Sequence, residues 1–176
     1  MNQWWTSDQH FGHANIIRYC NRPFQTVEDM DACMMDLWNG RVAPNDDVFV
    51  VGDFSFHDRK RTEEITKSLN GRKTLFMGNH DERKTKTYWK SVGFDEVLDN
   101  QEILLYGIDS LVFVSHIPVF KHRLRYQICG HVHDRYTVKP YITENRVLVN
   151  VGVDRWQFAP VHLDQVVKLL KEGQEL

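Results

Sequence analysis

The sequence predicts a single α/β domain, and three observations carry that expectation. Short apolar runs that end in Gly, Asn or Asp alternate with stretches of helical periodicity. No internal repeat, low-complexity segment or Pro/Gly/Ser-rich linker divides the 176 residues. The composition, 41% hydrophobic and 26% charged, is that of an ordinary soluble domain, and a chain of this length can bury a core without disulfide staples.

Along the chain, the first strand is expected from Gln3 to Thr6, where two Trp and a Thr favour extended backbone. A helix starts at Thr26, whose hydroxyl can cap while Asp29 completes a capping-box-like pair. Val27, Met30, Met34, Leu37 and Trp38 then share one face, and Asn39-Gly40 reads as the stop. A strand from Val48 to Val51 precedes a helix from Thr62 to Leu69 that ends at Asn70-Gly71. A strand from Thr74 to Met77 precedes a helix from about Lys84 to Val92. Four further strands are expected from Ile103 to Tyr106, Leu111 to Ser115, Tyr126 to Cys129 and Arg146 to Asn150. A last helix runs from an Asp164 cap through Val166, Val167, Leu169 and Leu170.

Charge and cysteine content exclude several classes. Twenty-two Lys and Arg against 24 Asp and Glu leave a net charge of −2 with no acidic or basic tail, so bulk charge calls for neither nucleic acid nor a membrane. Cys20, Cys33 and Cys129 are far apart, odd in number and never spaced as Cys-x-x-Cys, which argues against a disulfide framework or a zinc ribbon and for a reducing cytoplasm. The first residues lack the basic and apolar regions of a signal peptide, and no apolar run approaches the roughly 20 residues of a membrane span.

Nine histidines are many for this length, and five of them follow strand candidates. Asp8-Gln9-His10 follows the first strand, Gly52-Asp53 the second and Gly78-Asn79-His80-Asp81 the third; His116 and Gly130-His131-Val132-His133 follow two later ones. In an extended chain alternate residues point to one side, so Asp8 with His10, and His131 with His133, are each expected to aim at one point. Ligands at the ends of neighbouring strands converge on one crevice. The Gly beside Asp53, Asn79 and His131 is expected to supply a tight or positive-φ turn. These positions supply three or more His, two Asp and one Asn, only nitrogen and oxygen ligands, a set suited to Mn, Fe, Ni or Zn. Seven ligands are too many for one ion and fit two divalent metals about 3.5 to 4 Å apart, an arrangement that clamps both oxygens of a phosphoryl displacement.

The ordered set Asp-x-His, Gly-Asp, Gly-Asn-His-Asp, Ser-His and Gly-His-x-His, spanning residues 8–133, resembles the calcineurin-like metallophosphoesterase superfamily. The resemblance implies a four-layer α/β/β/α sandwich within one domain, residues 1–176. It also implies that Asp8, His10 and His133 bind one metal, that Asn79, His116 and His131 bind the other, and that Asp53 bridges. His80 would stand at the leaving-group oxygen with Asp81 orienting it. Ser115 before His116 and Gln9 between the first two ligands depart from commoner residues of the superfamily without removing a ligand.

The expected function is hydrolysis of phosphate esters, with phosphodiesters of nucleotides favoured, by a hydroxide that two metals activate. The alternatives are a nuclease acting on nucleic-acid ends, a phosphomonoesterase, and a non-catalytic scaffold of the same fold. Mn is the metal of choice for an assay, and a small phosphorylated substrate is the expected partner. His13 is a candidate contact to substrate phosphate, and His57 a weaker one. Three basic clusters, Arg59-Lys60-Arg61, Arg83-Lys84-Lys86 and Lys121-His122-Arg123-Arg125, follow ligand loops and could ring the crevice, although a solvated face is the plainer reading of each.

Overall fold

The computed structural model describes residues 1–141 and 145–173. The chain is an α/β protein built on two mixed, five-stranded sheets. The first contains β1 (Gln3–Thr6), β2 (Asp47–Val51), β3 (Arg72–Phe76) and β4 (Glu96–Leu98), all parallel, with β10 (Val161–His162) antiparallel to β1, in the order β10-β1-β2-β3-β4. The second contains β5 (Gln101–Leu104), β6 (Leu111–Val114), β7 (Tyr126–Cys129), β8 (Val138–Tyr141) and β9 (Arg146–Asn150) in the order β5-β6-β7-β9-β8. Its three inner strands are parallel and its two edges antiparallel. The helices are α1 (Ala14–Tyr19), α2 (Val27–Arg41), α3 (Arg59–Ser68), α4 (Lys86–Ser91) and α5 (Leu163–Glu172).

Two hydrophobic clusters follow from strand alternation. On β2, Val48 and Val50 turn toward Met30, Met34 and Trp38 of α2 and Ile65 of α3, whereas Val51 faces the second sheet. Trp5 of β1 and Phe76 of β3 join Val51 against Val112, Val114, Ile128, Val147 and Val149, and α5 closes this cluster with Val166, Leu169 and Leu170. The first sheet is thus buried on both faces. Among the described residues no helix contributes to the outer face of the second sheet; the segment 116–125 lies there instead. Val119 N–H donates to Gln127 Oε1, the Arg146 guanidinium donates to the carbonyls of Val119 and Leu124, and His122 stacks on Phe113 with ring centroids 4.1 Å apart.

Several boundaries differ from expectation for local reasons. α2 runs through Asn39-Gly40, because Gly40 is exposed and nothing lies near where its side chain would be. Asn39 ties α2 to the end of α3, accepting from Asn70 N–H and donating to Ser68 O. α3 begins three residues early, since Asp58 accepts from Arg61 N–H as its cap. The cap of α5 is His162, whose Nδ1 accepts from Asp164 N–H, rather than Asp164 itself. α1, β4, β8 and β10 have two to six residues, too short for periodicity to reveal. The strand expected from Ile103 to Tyr106 is displaced to β5, which leaves Tyr106 84% exposed in the turn toward β6.

Candidate metal centre

The ligand loops do not converge by strand alternation. Asp8, His10, Asp53, His131 and His133 all have left-handed backbone, with φ of 59°, 53°, 57°, 68° and 49°. Non-glycine residues rarely adopt this region, and each one costs energy that the surroundings must hold in place. The restraint is visible: the N–H groups of Asp8 and His10 donate to the carbonyls of Gly52 and Asp53, both at 3.0 Å, which locks the first two loops together. Of the three glycines expected to supply a positive φ, only Gly52 does, at +88°. Gly78 and Gly130 serve by being small. A side chain on Gly78 would strike the Asp53 carboxylate, and one on Gly130 would strike Ser7 Oγ and come within 2.6 Å of Asp8 Oδ2.

These loops bring the predicted ligands together. One ligand atom each from Asp8, His10 and His133 lies within 4.8 Å of the others, and the same holds for Asp53, His116 and His131. His116 Nε2 is 3.2 Å from Asp53 Oδ2 and 4.0 Å from Asp8 Oδ1. His10 Nε2 is 3.5 Å from Asp53 Oδ2, and His133 Nε2 is 3.9 Å from Asp8 Oδ1. Asp8, His10, Asp53 and His116 are at most 2% exposed. His10 Nε2, His116 Nε2 and Asn79 Oδ1 are buried without a hydrogen-bond partner. Orphaned polar atoms at such depth are costly, and bound cations beside them would satisfy them. The donor set therefore fits divalent metal, and the two groups could each hold an ion.

Neighbouring groups fix which ring nitrogen faces inward. His116 Nδ1 donates to Val51 O at 2.8 Å, and His133 Nδ1 donates to Asp154 Oδ2 at 2.9 Å, so both present Nε2 to the carboxylates. A carboxylate behind a histidine in this way is the usual support of a metal ligand. Asp154 is gripped in turn by Arg22, whose guanidinium also donates to the carbonyls of Asp8 and Gln9 at 2.7 and 2.9 Å. Asn150 holds the last loop by donating to the carbonyls of His133 and Tyr136. Sequence reasoning missed Arg22 and Asp154. Asp154 closes the Asn150-Val-Gly-Val-Asp154 loop after β9, so the rule that found the other strand-end carboxylates also covers it.

Electrostatics match a site short of positive charge. Burial opposes the Asp53 carboxylate, yet the adjacent His116 imidazole, with His10 behind it, holds its pKa at about 2. Burial likewise opposes the His116 and His133 cations, but the Asp53 and Asp154 carboxylates raise them to about 9 and 10. Burial drives His10 down to about 2.

His80 stands beside this cluster, with Nε2 3.8 Å from Asp53 Oδ2 and its N–H donating to Asp53 Oδ1. Asp81 does not orient it. The Asp81 carboxylate instead accepts from the N–H groups of Asp53, Phe54 and Gly78, joining the second and third ligand loops, because it turns back under the backbone and away from the imidazole. His13 shares a hydrogen bond with His10 at 3.2 Å, stacks on Phe56 at 4.3 Å and lines a cavity of about 360 Å³ with His10, His80, His131, His133 and Arg135. His57 is engaged by Asp31 at 2.6 Å, and Asp31 also receives Gly12 N–H. Of the basic clusters, Arg83 and Lys84 line a second cavity next to His80. Arg123 pairs instead with Glu102 at the edge of the second sheet. Cys129 is buried, and burial pushes its thiol well above the ordinary range.

The fold and site define an α/β protein with a histidine, aspartate and asparagine centre at the junction of two sheets. No family model matches the chain. The uncharacterized protein MJ1445 of Methanocaldococcus jannaschii is 34% identical over 171 residues, which cover 96% of this chain and 90% of that protein. The chain belongs to the family of that archaeal protein. The Gene 66 protein of Mycobacterium phage D29 is 29% identical, with 99% of this chain and 98% of the phage protein covered. The crystal structure of AQ665, a protein of unknown function from Aquifex aeolicus, is similar with a TM-score of 0.75 at 25% identity, over 96% of this chain and 98% of that one.

Proposed function

We propose that this protein is a binuclear metallophosphoesterase of the calcineurin-like type that hydrolyses phosphodiesters of nucleotides. The observation that carries the reading is the pair of ligand groups, Asp8, His10 and His133 beside Asp53, His116 and His131, with two buried atoms among them, His10 Nε2 and His116 Nε2, left unpartnered and Asn79 Oδ1 unpartnered besides. Asp8, His10 and His133 would hold one ion, Asn79, His116 and His131 the other, and Asp53, within 3.5 Å of both His10 and His116, would bridge. Bound there, two divalent ions of the Mn, Fe, Ni or Zn kind supply Lewis acidity to the phosphoryl oxygens and lower the pKa of water. His80, at the edge of the cluster, donates a proton to the departing oxygen. His13 faces the same cavity and offers a hydrogen bond to a phosphoryl oxygen.

The two-sheet architecture supports a trimmed four-layer sandwich, with segment 116–125 in the place of the outer helical layer. No described helix is long and apolar enough to cross a membrane, and three free cysteines accord with a cytoplasmic setting. The test is hydrolysis of bis(p-nitrophenyl) phosphate. Activity is expected to vanish in chelator and to return with Mn, at a stoichiometry of two ions per chain. Full turnover by protein shown to be metal-free would refute the proposal.

A further inference from the structure

His80 lines two cavities. One contains His13, His131 and His133; the other, of about 250 Å³, is walled by Phe56, Tyr88, Trp89, Arg83 and Lys84. An ester with its phosphorus at the carboxylates must therefore extend past His80 in one of these directions. The first cavity is lined by one tyrosine, Tyr19, and one arginine, Arg135, and the second is richer in both kinds of side chain. Its walls carry Phe56, the buried Trp89 and the half-buried Tyr88. Two cations also line it, Arg83 and Lys84, with Lys84 Nζ 5.5 Å from the Tyr88 ring centroid. Among the described residues neither Arg83 nor Lys84 forms an ion pair, although Glu82 is adjacent in sequence and the whole chain carries a net charge of −2.

We propose that this cavity receives the leaving group of the ester, and that the leaving group is itself a nucleotide, an aromatic base with at least one further phosphate. The assignment rests on the phosphoesterase reading above. Aromatic side chains stack any base, and unpaired Arg and Lys recognise phosphate. A neutral alcohol would leave Arg83 and Lys84 without a counter-charge. In the reaction, the oxygen of water bonds to phosphorus and the P–O bond to the leaving nucleotide breaks. The leaving oxygen takes a proton from His80, which recovers one as the attacking water loses its own. The substrate class is a phosphodiester between two nucleotides, free or at the end of a strand.

Binding can be read without catalysis. In metal-free protein the buried carboxylates repel anions, so adenosine bisphosphate should enter the cationic cavity and perturb the fluorescence of Trp89. It is expected to bind at least about tenfold more tightly than adenosine, and the Arg83→Ala/Lys84→Ala double variant is expected to abolish that preference. Equal affinity for the two ligands in the wild type, or a preference that survives in the double variant, would overturn the assignment. In the Mn-loaded protein the double variant should lose at least about tenfold more kcat/KM, through KM, on a dinucleotide with a phosphorylated leaving nucleoside than on bis(p-nitrophenyl) phosphate. An equal loss on both overturns the assignment as well. If the wild type hydrolyses neither ester, the phosphoesterase reading fails, while the binding measurement still judges the cavity. A longer single strand with the same terminal nucleotides, compared with the dinucleotide, distinguishes a free substrate from a strand end.

Discussion

Arg22 grips Asp154 with two hydrogen bonds, Nε to Oδ1 at 2.7 Å and Nη2 to Oδ2 at 2.9 Å, across 132 positions of sequence. Both side chains are at most 2% exposed. The same guanidinium reaches the carbonyls behind Asp8, while Asp154 orients His133, so one buried pair fixes ligands from both sheets.

Asp154→Asn should therefore weaken metal binding at the Asp8, His10 and His133 group by about 10- to 100-fold, the usual cost of losing such support. Mn titration by calorimetry measures this. Asp154→Ala should also destabilise the fold by about 3–5 kcal/mol, because Arg22 loses its counter-ion while still buried. A denaturant midpoint equal to that of the wild type would contradict the buried pair.

Asp53→Asn should be more damaging than His10→Ala. The Asp53 carboxylate lies against both His10 and His116, and its charge would offset that of both ions. Metal analysis of the two variants is decisive: retention of two ions at wild-type affinity in Asp53→Asn would remove the bridging role.

His80→Ala should keep both metals and slow hydrolysis according to the leaving group. A poor alkoxide needs a proton and should lose roughly 10²- to 10⁴-fold, whereas a nitrophenolate should lose little. Two esters that differ only in leaving-group pKa, assayed with both proteins, decide the matter. An equal loss on both would make His80 an electrostatic group, and lost metal would make it a ligand.

Asp46 gives the fold part of its acid limit. Its carboxylate accepts from Asn2 N–H, Trp4 Nε1 and Ala43 N–H, and these bonds, that of Asn2 foremost, hold its pKa at about 2 against an ordinary 3.8. A depressed pKa stabilises the folded state above the unfolded value, and that stability drains away as pH falls from 3.8 to about 2. Asp46→Ala should cost about 1–3 kcal/mol at neutral pH and flatten the stability profile over that acid interval. Urea melts across the interval measure both, and parallel profiles for the two proteins would count against the assignment.

Six strands, β1, β2, β3, β6, β7 and β9, were legible to within two residues, because each is a short apolar run bounded by turn residues. The strand-end Asp and His residues that the structure gathers were legible for the same reason. What alternation misjudged is how they converge, since left-handed φ at Asp8 and His10 depends on hydrogen bonds to a loop 43 to 44 residues away. Arg22 was invisible because its partner comes 132 residues later. Asp81 was misassigned to His80 because adjacency in sequence says nothing of which way a buried carboxylate turns.

The pairing of β1 with β10, Trp4 opposite His162 and Trp5 opposite Val161, has a consequence for the nascent chain. β1 is synthesised long before β10, and its outer edge stays uncovered until that strand arrives. Asp8 likewise waits for His133. Until then the exposed Trp-rich edge is a template for wrong pairing, and such distant closures are slow. Translation rate and chaperone capture should therefore bear on the yield of folded protein more heavily than its size alone implies.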